Sequence, residues 1–192
     1  MDGIPEIKKP SYNSEVKSVV GVSSPPLGLA YIASMLRQNH EVKIIDSNIL
    51  NYTLEDVKRE MRSFNPDIVG ITSVTPSIYE AYKVAETAKK VNEDCTVVLG
   101  GPHATFTPRQ TLEECKYIDI IVRGEGEETT KELVENIEKG APLNEVKGIT
   151  FRKENEIIDA EPRPFIKNVD DISFTSRDLL PMHLYKFNGV KY

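Results

Sequence analysis

One stretch decides the fold of this chain: Val97-Val98-Leu99-Gly100-Gly101-Pro102-His103-Ala104-Thr105-Phe106-Thr107-Pro108. Its apolar run predicts a buried strand, which ends at two adjacent glycines before a short polar loop and a helix start. Glycine has no Cβ and can adopt positive φ, so a ligand can approach the backbone closely there. Because ligands of open α/β sheets bind beyond the carboxyl ends of the strands, the stretch predicts a ligand site at this edge.

Short apolar segments alternate with segments of helical periodicity on both sides of this stretch. The five predicted strands, in chain order, are 17–22, 42–46, 68–72, 96–99 and 117–122. This alternation is typical of a parallel sheet that is covered by helices on both faces. Right-handed crossovers and the number of strands favour the flavodoxin-like order 2-1-3-4-5. We therefore predict an α/β, doubly wound, five-stranded parallel sheet.

Composition divides the chain into four parts. Residues 1–15 are polar and contain two prolines, so they are predicted to be a loose leader, and residues 16–140 contain the predicted sheet. Residues 141–160 have the pattern of a β-hairpin, with strands at 147–152 and 156–159. Residues 161–192 are punctuated by prolines and lack clear periodicity, which predicts a linker.

Charge and composition exclude several classes of protein. A formal net charge of −6 argues against a surface that binds nucleic acid. No apolar run approaches the roughly 18 residues of a membrane span, and the N-terminus lacks a secretory pattern. Cys95 and Cys115 have neither the number nor the spacing of a disulfide framework or a metal site. We expect a cytoplasmic protein without a nucleic-acid partner or a membrane span.

The loops after predicted strands one, three, four and five are expected to meet at one edge of the sheet. We call this edge the rim; it consists of residues 23–28, 72–75, 100–105 and 123–126. Its hydroxyls, glycines and helix N-termini suit a ligand with phosphates or amides, although any α/β domain also needs turns at these places. The rim lacks the motif of a Walker-type nucleotide site, the third glycine of a dinucleotide site, and a glycine-rich cradle for flavin.

Catalytic groups are sparse at the rim. His103 is a lone histidine, so it is better explained as a hydrogen-bonding contact or a turn residue than as an acid–base or metal-binding group. Glu125, Glu127 and Glu128 resemble a carboxylate cluster, but acidic residues at the start of a helix also complement its dipole. We therefore assign no catalytic and no metal-ligating residue.

Four blocks of the chain resemble a known family. They are Pro25-Pro26-Leu27-Gly28-Leu29-Ala30-Tyr31-Ile32-Ala33, Gly70-Ile71-Thr72-Ser73, Gly100-Gly101-Pro102-His103-Ala104-Thr105 and Arg123-Gly124-Glu125-Gly126-Glu127. In this order they resemble the N-terminal cobalamin-binding domain of cobalamin-dependent radical S-adenosylmethionine enzymes. The members most similar in pattern are those like the anaerobic magnesium-protoporphyrin IX monomethyl ester cyclase and those like the methyltransferases. Residues 176–181 are similar to the linker before the radical domain of these enzymes.

The resemblance also implies how cobalamin would bind. The wider cobalamin fold carries D-x-H-x-x-G after its first strand, and alignment of its glycine with Gly28 places Pro25 at the cobalt-binding histidine. The resemblance therefore implies base-off cobalamin that receives no histidine from this loop. It places the nucleotide tail beside Ser73, Val74, Thr75, Gly100 and Gly101. It places the corrin face beside Ser23, Pro25, Leu27, Gly28, His103, Ala104, Thr105, Gly124, Glu125 and Gly126.

Radical domains of this family hold a [4Fe-4S] cluster through C-x-x-x-C-x-x-C, which is absent from this sequence. The resemblance therefore predicts that the radical domain, with its cluster and S-adenosylmethionine, lies beyond residue 192 as a partner in a longer enzyme. Such an enzyme would use cobalamin in methyl transfer or in oxidative cyclisation, and this part alone would not be catalytic. The alternatives are a stand-alone flavodoxin-like module that binds a ligand or regulates, and a docking domain without a cofactor.

Overall fold

The computed structural model describes residues 24–154, 156–168, 172–187 and 190–191. The predicted leader, the predicted first strand and Ser23 lie outside these ranges. The helices are α1 (Leu27–Leu36), α2 (Ser47–Leu50), α3 (Leu54–Phe64), α4 (Ile78–Val91), α5 (Pro102–Phe106), α6 (Pro108–Glu114) and α7 (Glu127–Lys139). The strands are β1 (Ile68–Thr72), β2 (Thr96–Gly100), β3 (Ile120–Val122), β4 (Ile149–Lys153), β5 (Glu156–Asp159), β6 (Lys186–Phe187) and β7 (Val190–Lys191).

The main sheet has the order β1-β2-β3-β4-β5 and is mixed. Strands β1, β2 and β3 are parallel and correspond to predicted strands three, four and five. The α/β class is therefore confirmed. The order 2-1-3-4-5 stays a prediction, because its first strand lies outside the described ranges.

The predicted second strand, 42–46, pairs with no strand among the described residues. Its predicted partner, 17–22, lies outside the described ranges, so this strand stays a prediction. On its own side, Ile44 packs against a small cluster formed by Ala30, Leu180 and Tyr185.

The predicted hairpin is confirmed, and it extends the main sheet. Strands β4 and β5 pair in an antiparallel manner, and Glu154 between them has a left-handed φ of 54°. Strand β4 also pairs with β3, and this buries Ile149 and Phe151 completely or nearly so. The hairpin therefore contributes to the core of the sheet.

The core lies on both faces of the sheet, as alternate residues of β2 show. Val97 and Leu99 belong to the cluster that includes residues of α3, α4 and α6. Val98 belongs to the cluster on the other face, which includes Val122 of β3 and Leu133 of α7. Successive side chains of a strand point to opposite faces, so this division also shows which face a side chain at the carboxyl end of β2 would project from.

Residues 173–185 fall within the predicted linker, but they pack against α1. Leu180 and Tyr185 are 6% and 0% exposed and contact Ala30 of α1. The segment contains two short 3-10 turns, Arg177–Leu179 and Met182–Leu184. These turns bury isolated side chains at irregular intervals. The sequence of the segment therefore shows no helical or strand periodicity.

Helix α3 begins with a capping box, whereas α6 does not. The Thr53 hydroxyl accepts a hydrogen bond from the Asp56 backbone N–H at 3.3 Å, and Asp56 Oδ2 accepts one from the Thr53 N–H at 2.9 Å. At α6, the Gln110 amide donates to Glu114 at 2.7 Å, and no side chain of the N-cap residue caps the helix. Gln110 and Glu114 lie four residues apart, so they share one face of α6.

We expect the Asp56 carboxyl group to titrate near pH 2 in the folded protein. The Thr53 side chain and backbone donate hydrogen bonds to this carboxylate, and Arg59 adds another, which lowers its pKa to about 2 from the usual 3.8. Because the pKa is lowered, the contribution to stability is complete above about pH 4 and is lost as the pH falls through 2. An NMR titration of the Asp56 side chain measures this pKa. In Thr53→Ala the midpoint should rise towards 3.8, and an unchanged midpoint would contradict the assignment.

Candidate functional site

The loops after β1 and β2 form one continuous surface. The Ser73 N–H donates to the Gly100 carbonyl oxygen at 3.2 Å. The Nδ1 atom of His103 and the hydroxyl of Thr75 are hydrogen-bonded at 3.1 Å. These contacts bring together four of the residues that the sequence placed at the rim.

The loop after β3 joins the same surface. The Gly124 N–H donates to the Thr105 hydroxyl at 3.1 Å, and Gly124 has a left-handed φ of 72°. Glu125 Oε2 accepts a hydrogen bond from the Ile166 N–H at 2.7 Å, so this carboxylate binds the chain's own backbone. Arg123, at the end of β3, donates to the carbonyl oxygens of Ile149 and Ala160. The Arg123 side chain therefore links the end of β3 to the β4–β5 hairpin.

Gly101 allows the loops after β1 and β2 to pack closely. Its φ is 95°, and a Cβ added there would lie 2.6 Å from the Ser73 carbonyl oxygen and 2.9 Å from Thr72 Oγ1. The sequence predicted that this glycine makes room for a ligand. In the structure, the protein's own neighbouring loop occupies that room.

Two further rim residues, Ser73 and Ala104, have side chains that make contacts within the protein. The buried Ser73 hydroxyl donates to the Val74 carbonyl oxygen at 3.0 Å and lies 3.1 Å from Ser77 Oγ. Ala104 is completely buried in the core beside the sheet, so its side chain does not face the rim. By contrast, Val74 is half exposed and extends the surface available to a ligand.

Glycines leave one face of the sheet open near the rim. Gly70 pairs with Val98 in the β1–β2 ladder, so both residues lie on the same face, and Gly100 follows Val98 two positions later on that face. A Cβ added at Gly70 would have no neighbour within 4 Å. At Gly100 the nearest atom would be the Val122 carbonyl oxygen at 3.8 Å. We call Gly70 and Gly100 the glycine face.

Gly70 is a residue of the site that was not predicted from the sequence. A glycine inside a strand weakens the strand and often marks a close approach by a ligand or another backbone, so its position alone was a usable signal. Its role becomes visible only from the pairing with Val98, which shows that Gly70 and Gly100 share a face.

Helix α1 stands beside this face through its contact with the start of α7. Gly126 precedes α7, and a Cβ added there would lie 3.1 Å from Ile32 Cδ1 of α1. At the start of α1, the Leu27 N–H donates to the Pro25 carbonyl oxygen at 2.8 Å. A Cβ at Gly28 would have no neighbour within 4 Å. The structure gives no hydrogen bond between residues 25–28 and the other three rim loops.

Two kinds of feature are absent from the part of the chain that the structure describes. No helix there is both long and apolar enough to cross a membrane. No three His, Cys, Asp or Glu side chains come together there as metal ligands.

The rim fits a ligand that has an extended arm. It offers hydroxyls, backbone amides and the imidazole of His103. Beside them lies the glycine face, where a Cβ at Gly70 or Gly100 would reduce the space open to a ligand. An aromatic or nucleotide arm can lie against such a strip because its flat face needs close approach to the backbone.

Comparison with known proteins agrees with this geometry. The family model described as the B12 binding domain matches residues 15–134. An uncharacterized methyltransferase of Pyrococcus horikoshii, PH0819, is 50% identical over 183 residues, which is 95% of this chain and 40% of that protein. The anaerobic magnesium-protoporphyrin IX monomethyl ester cyclase of Cereibacter sphaeroides is 38% identical over 168 residues, which is 85% of this chain and 27% of that protein.

A solved structure shares the fold. The cobalamin-dependent S-adenosylmethionine radical enzyme OxsB, with aqua-cobalamin and S-adenosylmethionine bound, superposes with a TM-score of 0.72 at 23% identity. The superposition covers 83% of this chain and 22% of OxsB. The chain thus spans well under half the length of the relatives that it matches. The family resemblance seen in the sequence is confirmed, and the chain belongs to the B12-binding domain family.

Proposed function

We propose that this chain binds cobalamin base-off, with the corrin ring at the rim and the nucleotide tail along the glycine face. The observation that carries this proposal is the open strip at Gly70 and Gly100 beside three loops that are joined by hydrogen bonds. Membership of the B12-binding family names the ligand that such a strip would take. The residues predicted from the resemblance that face this region are Thr75, Gly100, His103, Thr105 and Gly124.

We further propose that the lower face of cobalt receives no histidine from the loop at residues 23–28. Pro25 stands where the family's histidine would be, and proline has no side-chain lone pair. We infer that His103, whose Nδ1 is hydrogen-bonded to the Thr75 hydroxyl, is a hydrogen-bonding contact and not a ligand of cobalt. His40 lies elsewhere, 3.3 Å from Glu138 of α7.

The chain's role in a larger enzyme is a separate proposal. Relatives that are 38–50% identical are much longer than this chain and include a cyclase and a methyltransferase. We infer that a radical S-adenosylmethionine domain with its own [4Fe-4S] cluster works with this one. Cobalamin would supply methyl transfer or the chemistry of cyclisation, and this chain would bind and orient it.

Titration of the chain with hydroxocobalamin, followed by the visible spectrum, tests the proposed binding. We expect saturable binding and a base-off spectrum. A base-on spectrum would overturn the binding mode, and the absence of saturable binding would overturn the function. In a parallel titration, His103→Ala should leave the cobalt spectrum unchanged, because the side chain does not ligate cobalt. A spectral change in His103→Ala would show that His103 is the axial ligand.

A further inference from the structure

We propose that residues 173–185, which we call the strap, hold helix α1 in place, and that Leu180 and Arg37 are thereby positioning residues of the cobalamin site. The link to cobalamin rests on the proposed function. The fastening of α1 rests on the structure alone.

Helix α1 has few stabilising features of its own. It has ten residues, and its N-cap, Pro26, makes no side-chain hydrogen bond. Neither its first turn nor its last turn carries a charge that complements the helix dipole, and Gly28 lies within it. Helices this short are marginal in water, and an internal glycine weakens them further. Contacts with the rest of the protein must therefore hold α1.

The strap supplies these contacts along the length of α1. The Ser176 N–H donates to the Ala30 carbonyl oxygen at 3.0 Å. The Ser34 hydroxyl, which is nearly buried, lies 3.3 Å from the Ser173 carbonyl oxygen. At the end of the helix, Arg37 Nη1 lies 2.8 Å from both carboxylate oxygens of Asp178.

A small buried cluster fastens the other end of the strap. Leu180 and Tyr185 pack with Ala30 in a cluster that is separate from the two sheet cores. The Tyr185 hydroxyl donates to Asp46 Oδ2 at 2.8 Å, and Asp46 also caps α2. Burial raises the pKa of the Tyr185 hydroxyl above its ordinary value. Because this cluster is separate, the strap can loosen while the sheet stays folded.

The strap and α7 thus contact different parts of α1. Ile32 packs at Gly126 before α7, while Ala30, Ser34 and Arg37 contact the strap. The first turn of α1 carries Leu27 and Gly28, which belong to the predicted corrin contacts. Loosening the strap should therefore displace these residues and weaken cobalamin binding, without adding or removing an axial ligand of cobalt.

The test uses Leu180→Ala and, as a milder change, Arg37→Met. Hydrogen exchange of the apo protein should show amides of α1 exchanging at least about 10-fold faster in Leu180→Ala, since the loss of a buried leucine contact is large. In Arg37→Met the increase should be about twofold to fivefold, because the ion pair with Asp178 is exposed. Exchange in β1, β2, β3 and α4 should stay as in the wild type.

Affinity for hydroxocobalamin provides the second readout. The dissociation constant should rise about 10-fold in Leu180→Ala and less in Arg37→Met, with the spectrum of the bound cofactor unchanged. Arg37→Lys keeps the cation and should restore wild-type behaviour. Arg109→Met is the matched control, since the Arg109–Asp159 pair is similarly exposed but joins α6 to β5. It should change neither the exchange of α1 nor the affinity.

Each other result overturns a defined part of the proposal. Unchanged exchange of α1 in both variants would show that the strap does not hold the helix, and equally faster exchange throughout the sheet would show a general loss of stability. Faster exchange of α1 with unchanged affinity would show that the strap holds the helix but does not position the cobalamin site. If the wild type binds no hydroxocobalamin, the proposed function fails, while exchange in the apo protein still decides whether the strap holds α1.

Discussion

Gly101→Ala is expected to lower the free energy of unfolding by about 2–4 kcal/mol. Gly101 has a φ of 95°, which an alanine adopts only with strain. The added Cβ would also lie 2.6 Å from the Ser73 carbonyl oxygen, which is backbone and cannot rotate away. Urea denaturation followed by circular dichroism measures the loss. Cobalamin affinity should fall as well, because the loops after β1 and β2 must separate.

Gly100→Ala is the matched control for this prediction. The two glycines are adjacent, but Gly100 lacks a left-handed φ, and its added Cβ would meet Val122 at ordinary distances, with the carbonyl oxygen at 3.8 Å and Cβ at 4.0 Å. Its stability should change by less than about 1 kcal/mol, as for a site with ordinary van der Waals contacts. Equal losses in the two variants would contradict the close packing that we assign to Gly101.

Gly70→Val is expected to weaken cobalamin binding about 10- to 100-fold while the protein stays folded. Valine would project from the glycine face into the space proposed for the nucleotide tail, and an overpacked contact of about 1–3 kcal/mol corresponds to roughly 5- to 150-fold. The described part of the protein has room, since none of its atoms lies within 4 Å of the added Cβ. Valine is also favoured over glycine in strands. Hydroxocobalamin titration and urea denaturation, carried out together, measure the two effects.

Two further variants make this experiment specific. Gly70→Ala should weaken binding less than Gly70→Val, because the smaller side chain fills less of the space. Thr96→Val places the same β-branched residue at the opposite end of the sheet, at the start of β2, and should leave affinity unchanged. Full affinity in Gly70→Val would place the tail elsewhere, and reduced affinity in Thr96→Val would point to a general effect on the sheet.

The sequence predicted those parts of the site that depend on local pattern. Apolar runs at 68–72 and 96–99 became β1 and β2, which pair in parallel, so their carboxyl ends meet at one edge of the sheet. That rule alone brought Ser73, Thr75 and His103 together. The run at 42–46 has the same local pattern, but a strand also needs a partner for its backbone, and the predicted partner, 17–22, lies outside the described residues.

Local pattern could not distinguish two adjacent glycines. Gly100 and Gly101 look alike in the sequence, but only the tertiary structure shows that a Cβ would fit at Gly100 beside Val122 and would collide with the Ser73 backbone at Gly101. Likewise, residues 173–185 lack periodicity because their contacts with α1 lie about 140 positions away along the chain. The sequence by itself determined the α/β class, the parallel strands and the family, since these follow from short-range pattern and motif. The tertiary structure alone decided which glycines leave room for a ligand and which residues hold α1, since both depend on contacts between distant segments.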